Sequence, residues 1–201
     1  MSSGLAEDLG VLSMARRYNV PVAQDQTPRP LPELWLLSDA RNDAALDRAL
    51  AQLPEQSGFI FRHYHLDPAQ RRARFQQLQE IARKRRHLVV ISGSPVLALK
   101  WGADGVYGPA EAMPHSGDLI KLVTAHNAKD IVSADRAGAD AILLSPVFAT
   151  ASHPGAKPLG PVRFRLLAQK AKAPVIALGG MNRDAAKRLG WARWAAIDGL
   201  S

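Results

Sequence analysis

The sequence predicts an α/β fold: a closed (β/α)8 TIM barrel with an N-terminal helical extension and a missing or truncated eighth helix. Short apolar runs such as Leu34–Leu37, Gly58–Phe61 and Val175–Leu178 are too brief for globular helices, and each ends in a polar or glycine-bearing loop. Most are separated by helix-length segments, the alternation that parallel strands with right-handed crossovers require. The unit recurs eight times along the 201 residues, which suits a closed barrel better than a doubly wound sheet.

Taken in order, residues 1–33 form an N-terminal part and residues 34–201 the barrel domain. Leu5 to Tyr18 has the spacing of a short amphipathic helix, and Pro21 to Pro32 reads as an extended, proline-rich connector. Leu34–Leu37 is the first strand, and Asn42 or Asp43 caps a helix running through Leu53. Gly58–Phe61 is the second strand and delivers Arg62, His63, Tyr64 and His65. Asp67-Pro68 opens a long helix to about Arg86, with aspartate as cap and proline in the first turn. Leu88–Ile91 is the third strand, Val96–Trp101 a helix, Gly105–Tyr107 the fourth strand and Leu119–Val123 the fifth. A helix from Asn127 through Ala137 leads to the sixth strand, Asp140–Leu144. Helix Val162–Lys172, strand Val175–Leu178, helix Asn182–Leu189 and strand Trp194–Ile197 complete the series. Asp198 to Ser201 is too short for an eighth helix. The apolar face left there is expected to be covered by the Leu5–Tyr18 helix or by a second copy in a homodimer.

Composition narrows the function classes. A chain with 47% hydrophobic residues can bury one substantial core, and zero cysteines exclude disulfides and thiolate metal sites. Glu7 and Asp8 stand in an N-terminus without a long apolar core, so neither signal peptide nor membrane span is expected, and cytoplasm follows by default. The net charge of +8 permits nucleic-acid or membrane-surface binding and equally suits phosphorylated ligands. The basic clusters Arg71–Arg74 and Arg83–Arg86 flank one helical pattern with no aromatic stacking platform beside them, which reads as a solvated face rather than a nucleic-acid surface.

Ligands of α/β proteins bind at the C-terminal ends of the strands. There the loop after Leu144 carries Thr150, Ser152, His153 and Lys157, donors suited to an anionic, oxygen-rich ligand. Gly179 and Gly180 follow the seventh strand, where backbone N–H groups can approach a phosphate without a Cβ in the way. His126 falls beyond the fifth strand. His63 and His65 alternate with Tyr64, but no clustered carboxylate completes a metal set in sequence, so no metal ligands are assigned. His87, before a strand, reads as structural.

GADGVYG (Gly102–Gly108), the region of His126, AGADAILLSPVFATASH (Ala137–His153), Leu159-Gly160 and PVIALGGM (Pro174–Met181) stand in an order that resembles the thiamine phosphate synthase and TenI-type thiazole tautomerase barrels. The resemblance spans Leu34 to Ile197. It implies a phosphorylated thiazole as ligand, its phosphate held by Gly179, Gly180 and the backbone near Ile197 and Asp198. Arg62, Tyr64, Ser92, Thr150, Ser152, His153 and Lys157 fall on substrate-binding positions, and His126 on the stretch that carries the tautomerases' catalytic histidine. Synthases join a pyrimidine, carried as its diphosphate, to the thiazole phosphate and use Mg2+. The family's synthases present lysine where Tyr64 stands and Asn-Asp where Ser92-Gly93 stands, and Glu111 is a loose substitute for a further acid. Three readings are open here: a tautomerase using His126 without a cofactor, a divergent synthase using Mg2+ with acidic ligands such as Asp39 or Glu111, and a noncatalytic phosphate-ligand barrel.

Overall fold

In a computed structural model of the chain, the described residues are 30–113, 117–152, 155 and 157–200; the barrel lies in the unit Leu31–Ser201. Its strands are β1 (Leu34–Leu37), β2 (Gly58–Phe61), β3 (Leu88–Ser92), β4 (Gly105–Gly108), β5 (Ile120–Ala125), β6 (Ala141–Leu144), β7 (Val175–Ala177) and β8 (Trp194–Ala196). They pair in parallel in chain order, and β8 returns to β1 with Leu36 opposite Ala196, so the sheet closes. Helices α1 (Leu46–Gln52), α2 (Pro68–Lys84), α3 (Pro95–Trp101), α4 (Ala128–Arg136), α5 (Gly160–Ala168) and α6 (Arg183–Leu189) fill six of the seven crossovers, and among the described residues that from β4 to β5 carries the 3-10 turn Ala110–Ala112. Residues Asp198–Leu200 form one 3-10 turn after β8. The helix expected over Leu5–Tyr18 lies outside the described residues.

Side chains of a strand alternate between its two faces, and that period sorts the core into two layers. Trp35, Leu37, Ile60, Val90, Leu122, Leu143, Ile176 and Ala195 pack together inside the barrel. Their neighbours Leu36, Phe59, Phe61, Val89, Ile91, Val123, Ile142 and Leu144 face the helices. Trp35 fills one cross-section so closely that a Cβ on Gly58 would come 2.1 Å from its Cε3. Its indole Nε1 donates to Pro32 O at 2.9 Å, so the ring is buried with its polar atom satisfied.

The helices start where short polar side chains replace the missing backbone acceptors. Asp67 accepts from Ala69 N and Gln70 N, Ser94 from Leu97 N, Asn127 from Asp130 N and Asn182 from Ala185 N. Three expectations need correction. Asn42 makes no helix cap: its Nδ2 donates to Leu37 O and Ile197 O, both at 3.0 Å, and Asp43–Ala45 form a 3-10 turn before α1. Strand β5 runs two residues past Val123, to Ala125, because Thr124 and Ala125 keep pairing with Leu143 and Leu144. Helix α5 spans Gly160–Ala168 rather than Val162–Lys172, and Asp135 accepts instead from Lys172 N and Ala173 N beyond its end.

Candidate active site

Continuing the two-residue period past each interior position gives the residues that look into the mouth of the barrel. Beyond Ile60 come Arg62 and Tyr64; beyond Val90, Ser92; beyond Leu122, Thr124 and His126; beyond Leu143, Ser145; beyond Ala195, Ile197. All of these line one cavity of about 820 Å³, together with Tyr107, Thr150, Ser152, Gly179, Gly180 and Asp198. The size is that of a small-molecule site.

Of the residues expected from sequence, His126, Gly179, Gly180, Ile197, Asp198, Arg62, Tyr64, Ser92, Thr150 and Ser152 are thus brought together. Lys157 is exposed and is not among the residues that line the cavity. His153 lies outside the described residues. Glu111 sits on the 3-10 turn Ala110–Ala112 and also does not line the cavity, although Pro109 and Ala112 on either side of it do.

One wall is backbone. Gly179 and Gly180 have φ of +92° and +62°, where a side chain is strained, and a Cβ on Gly180 would sit 2.4 Å from Ala149 O. Val147 N donates to Leu178 O and Phe148 N to Gly179 O, so the β6–α5 loop is stitched onto this turn. Gly199 closes the corner: a Cβ there would come 2.3 Å from Met181 O. The two turns that the resemblance assigns to phosphate are therefore packed against one another.

Asp198 looks wrong beside a phosphate until its partner is seen. Arg41 Nη1 lies 3.2 Å from Asp198 Oδ2, its Nε donates to Asp39 Oδ1 at 2.9 Å, and its Nη2 donates to Ser152 Oγ at 2.8 Å. Arg41 thus neutralises Asp198 and fastens the β6–α5 loop to the exits of β1 and β8. The sequence gives no sign of this residue, because Ser152 and Asp198 are far along the chain. Burial of Asp39 opposes its charge, but the hydrogen bonds from the Arg41 side chain and backbone hold its carboxyl below the usual value.

The opposite wall is side chains. The hydroxyls of Tyr64 and Ser92 hydrogen-bond to each other, and Ser92 Oγ also donates to Tyr107 O at 3.3 Å. Burial pushes the Tyr107 phenol up to about 12, so it stays a neutral hydroxyl. Arg71 ties the two strand exits together, donating to Arg62 O and Ser92 O while its guanidinium rests on Phe61, Tyr64 and Trp101. Arg62 lies over the Tyr64 ring, 5.6 Å from its centroid. Among the described residues its one ion pair is a long one, 3.7 Å to Asp39, and its buried Nε has no hydrogen-bond partner.

Between the walls stands His126. Its Nδ1 lies 2.9 Å from Ser145 O, which can only accept, and 3.3 Å from Ser145 Oγ; in the tautomer that donates from Nδ1 to the carbonyl, the lone pair of the neutral ring is on Nε2. Asp130 Oδ2 accepts from the His126 backbone N–H at 2.8 Å and fixes the turn.

A model of the thiamine monophosphate synthase family, TMP-TENI, matches residues 36–199. The chain belongs to the TMP-TENI family. It is 29% identical over 130 residues to the thiamine-phosphate synthase of Chloroflexus aurantiacus, covering 61% of this chain and 60% of that one. With the thiamine-phosphate synthase of Alcanivorax borkumensis it shares 31% over 137 residues, 64% of this chain and 63% of the other. The chain spans 60% to 63% of the length of these relatives. Among solved structures, a thiamine phosphate pyrophosphorylase from Pyrococcus furiosus superposes with TM-score 0.69 over 82% of this chain and 85% of that one; at 24% identity this shows the shared fold.

TMP-TENI synthases use Mg2+, which takes oxygen ligands that include one or two carboxylates. Among the described residues lining the cavity the single carboxylate is Asp198, and Arg41 already pairs with it. Asp39 is held by Arg41 and Arg62, and Ser92-Gly93 offers one hydroxyl and no carboxylate. These residues do not fit a magnesium–diphosphate site, and no step is assigned to one.

Proposed function

We propose that this TMP-TENI barrel binds a phosphorylated thiazole and isomerises it by proton transfer, in the manner of a thiazole tautomerase. The observation that carries the reading is the His126 ring on the cavity wall, with Nδ1 committed to Ser145 O and Nε2 left for a ligand. The phosphate belongs against Gly179, Gly180 and the turn after β8, where backbone approaches closely and Arg41 offsets Asp198. A carboxylate on the ring belongs with Arg62, whose Nε lacks a partner. The ring then lies between the two walls, facing His126.

Tautomerisation moves one proton and changes no formula. The neutral imidazole takes a proton from a ring carbon, the electron pair relocates through the conjugated system, and the imidazolium returns the proton to the carbon at its far end. A group that cycles near neutral pH is what this needs, and imidazole is the side chain that does so unaided. Nothing leaves the substrate, so the reaction makes no demand for cations to stabilise a leaving group.

The names of the relatives favour a second reading, condensation with a pyrimidine diphosphate to give thiamine phosphate. The two are separated by incubating the purified chain with thiazole carboxylate phosphate in a chelator and following ring aromatisation by ultraviolet absorbance. Conversion under those conditions, lost in His126→Ala with ligand binding intact, is the expected result. Thiamine phosphate formed only with Mg2+ and pyrimidine diphosphate would establish the second reading instead.

A further inference from the structure

The same alternation that sends Arg62 and Tyr64 into the cavity turns His63 and His65 the other way. There they meet Asp43, from the turn after β1, and one ligand atom from each of Asp43, His63 and His65 lies within 4.8 Å of the others. We propose that these three residues form a binding site for a transition-metal ion of the Zn2+ or Co2+ class, outside the cavity and separate from its chemistry.

Imidazole nitrogen and carboxylate oxygen are the donors that zinc takes, and three protein ligands leave a fourth position for water. His63 is prepared for this. Its Nδ1 is 2.7 Å from Ser38 Oγ, and Ser38 Oγ is itself fixed by accepting from Arg62 N at 2.7 Å. An outer partner on the far ring nitrogen is what orients a metal-binding histidine. Phe61 stacks on the ring at 4.7 Å and 11°, and His63 is almost wholly buried, so it cannot swing away. Its φ of 39° is uncommon for a residue with a side chain, and Ser38, Phe61 and Asp43 together hold it there.

His63 Nε2 lies 2.8 Å from Asp43 Oδ1. Two ligands about 2.1 Å from a zinc ion at a tetrahedral angle stand roughly 3.4 Å apart, so the pair opens by about half an ångström. The His65 ring is exposed, with its centroid 5.0 Å from that of His63, and a change of its rotamer closes the third side. The proton on His63 moves from Nε2 to Nδ1, where Ser38 Oγ accepts it.

Arg74 is the opponent. Its Nε donates to Asp43 Oδ1 at 2.8 Å. Its other contacts do not depend on that oxygen: Nη1 lies 2.9 Å from Asp47 Oδ2, and Nη2 donates to Asp43 O at 2.8 Å. Asp47 therefore compensates the guanidinium when a metal takes the Asp43 carboxylate. An ion here braces the loop whose alternate residues, Arg62 and Tyr64, form one wall of the cavity.

The test is a Co2+ titration of the full chain followed by visible absorbance, with Zn2+ binding measured by calorimetry. One saturable ion per chain is expected, weakened at least tenfold in His65→Gln, a change at an exposed ring that leaves the buried network in place. Arg74→Gln is expected to tighten binding several-fold, and His126→Ala to leave it unchanged. Absence of saturable binding, or a site that survives His65→Gln at full affinity, overturns the proposal.

Discussion

The two walls of the cavity are built on different principles. The β7–β8 wall is backbone: Gly179, Gly180 and Gly199 are required by close approach, and the loop over them is hydrogen-bonded in place. The β2–β4 wall is side chains: Arg62, Tyr64 and Ser92 stand on the exits of β2 and β3, which Arg71 ties together, and Tyr107 stands on β4 beside them. A backbone wall changes only if the chain moves, whereas a side-chain wall is rewritten one residue at a time. Two of the departures from the synthase pattern, at Tyr64 and at Ser92-Gly93, lie on the second wall.

Changes at the backbone wall are expected to cost most. Gly180→Val places a branched side chain against Ala149 O at positive φ. It is expected to destabilise the fold by about 3 kcal/mol and to abolish phosphate-ligand binding, as read from thermal unfolding and calorimetric titration. Next in size is His126→Ala, which is expected to slow proton transfer by roughly 10²- to 10⁴-fold. Ligand affinity should stay the same, since the imidazole is assigned a proton and no part in holding the phosphate.

Arg41→Ala frees Asp198 from its counter-ion and cuts the tie to Ser152. Affinity for the phosphorylated ligand is expected to fall roughly tenfold, the size of one charge-assisted hydrogen bond. An equal loss for the unphosphorylated ring would instead place Arg41 outside the phosphate end. Tyr64→Phe is expected to change affinity less than about threefold, since the hydroxyl contributes one neutral hydrogen bond. A large loss there would give the Tyr64 hydroxyl a part in holding the ligand beyond the one proposed for Arg62.

Acid probes the frame beneath both walls. Burial lowers the tendency of His87 to protonate, although Leu50 O accepts from its Nε2; its buried Nδ1 has no partner. A folded-state pKa below the ordinary 6.5 means the folded chain binds fewer protons than the unfolded one. Stability from this group is whole above that value and is lost as pH falls below it. The unfolding temperature is therefore expected to drop on acidification from pH 7, and His87→Gln to flatten the slope.

Much of this was legible in the sequence because it is local. The period of two names the strands and, carried a step or two further, the cavity residues Arg62, Tyr64, Ser92 and His126. Asp67-Pro68 marks the start of α2, and Gly179-Gly180 marks a turn that only glycine can make. What was hidden depends on meetings across the barrel. Asn42 reads as a cap because asparagine favours helix starts, yet its amide bridges β1 to Ile197 O, 155 positions away. Arg41 reads as one more surface cation, and only closure of β8 onto β1 brings Asp198 to it. His63 lacked a visible carboxylate because Asp43 precedes it by 20 residues, on another strand's exit.

The most direct measurement of the central claim is turnover of thiazole carboxylate phosphate by the purified chain in a chelating buffer, followed by absorbance of the aromatic ring. Conversion at a rate that His126→Ala removes, with calorimetric affinity retained, is the result the account predicts. No conversion without metal, together with thiamine phosphate appearing once Mg2+ and pyrimidine diphosphate are supplied, would contradict it.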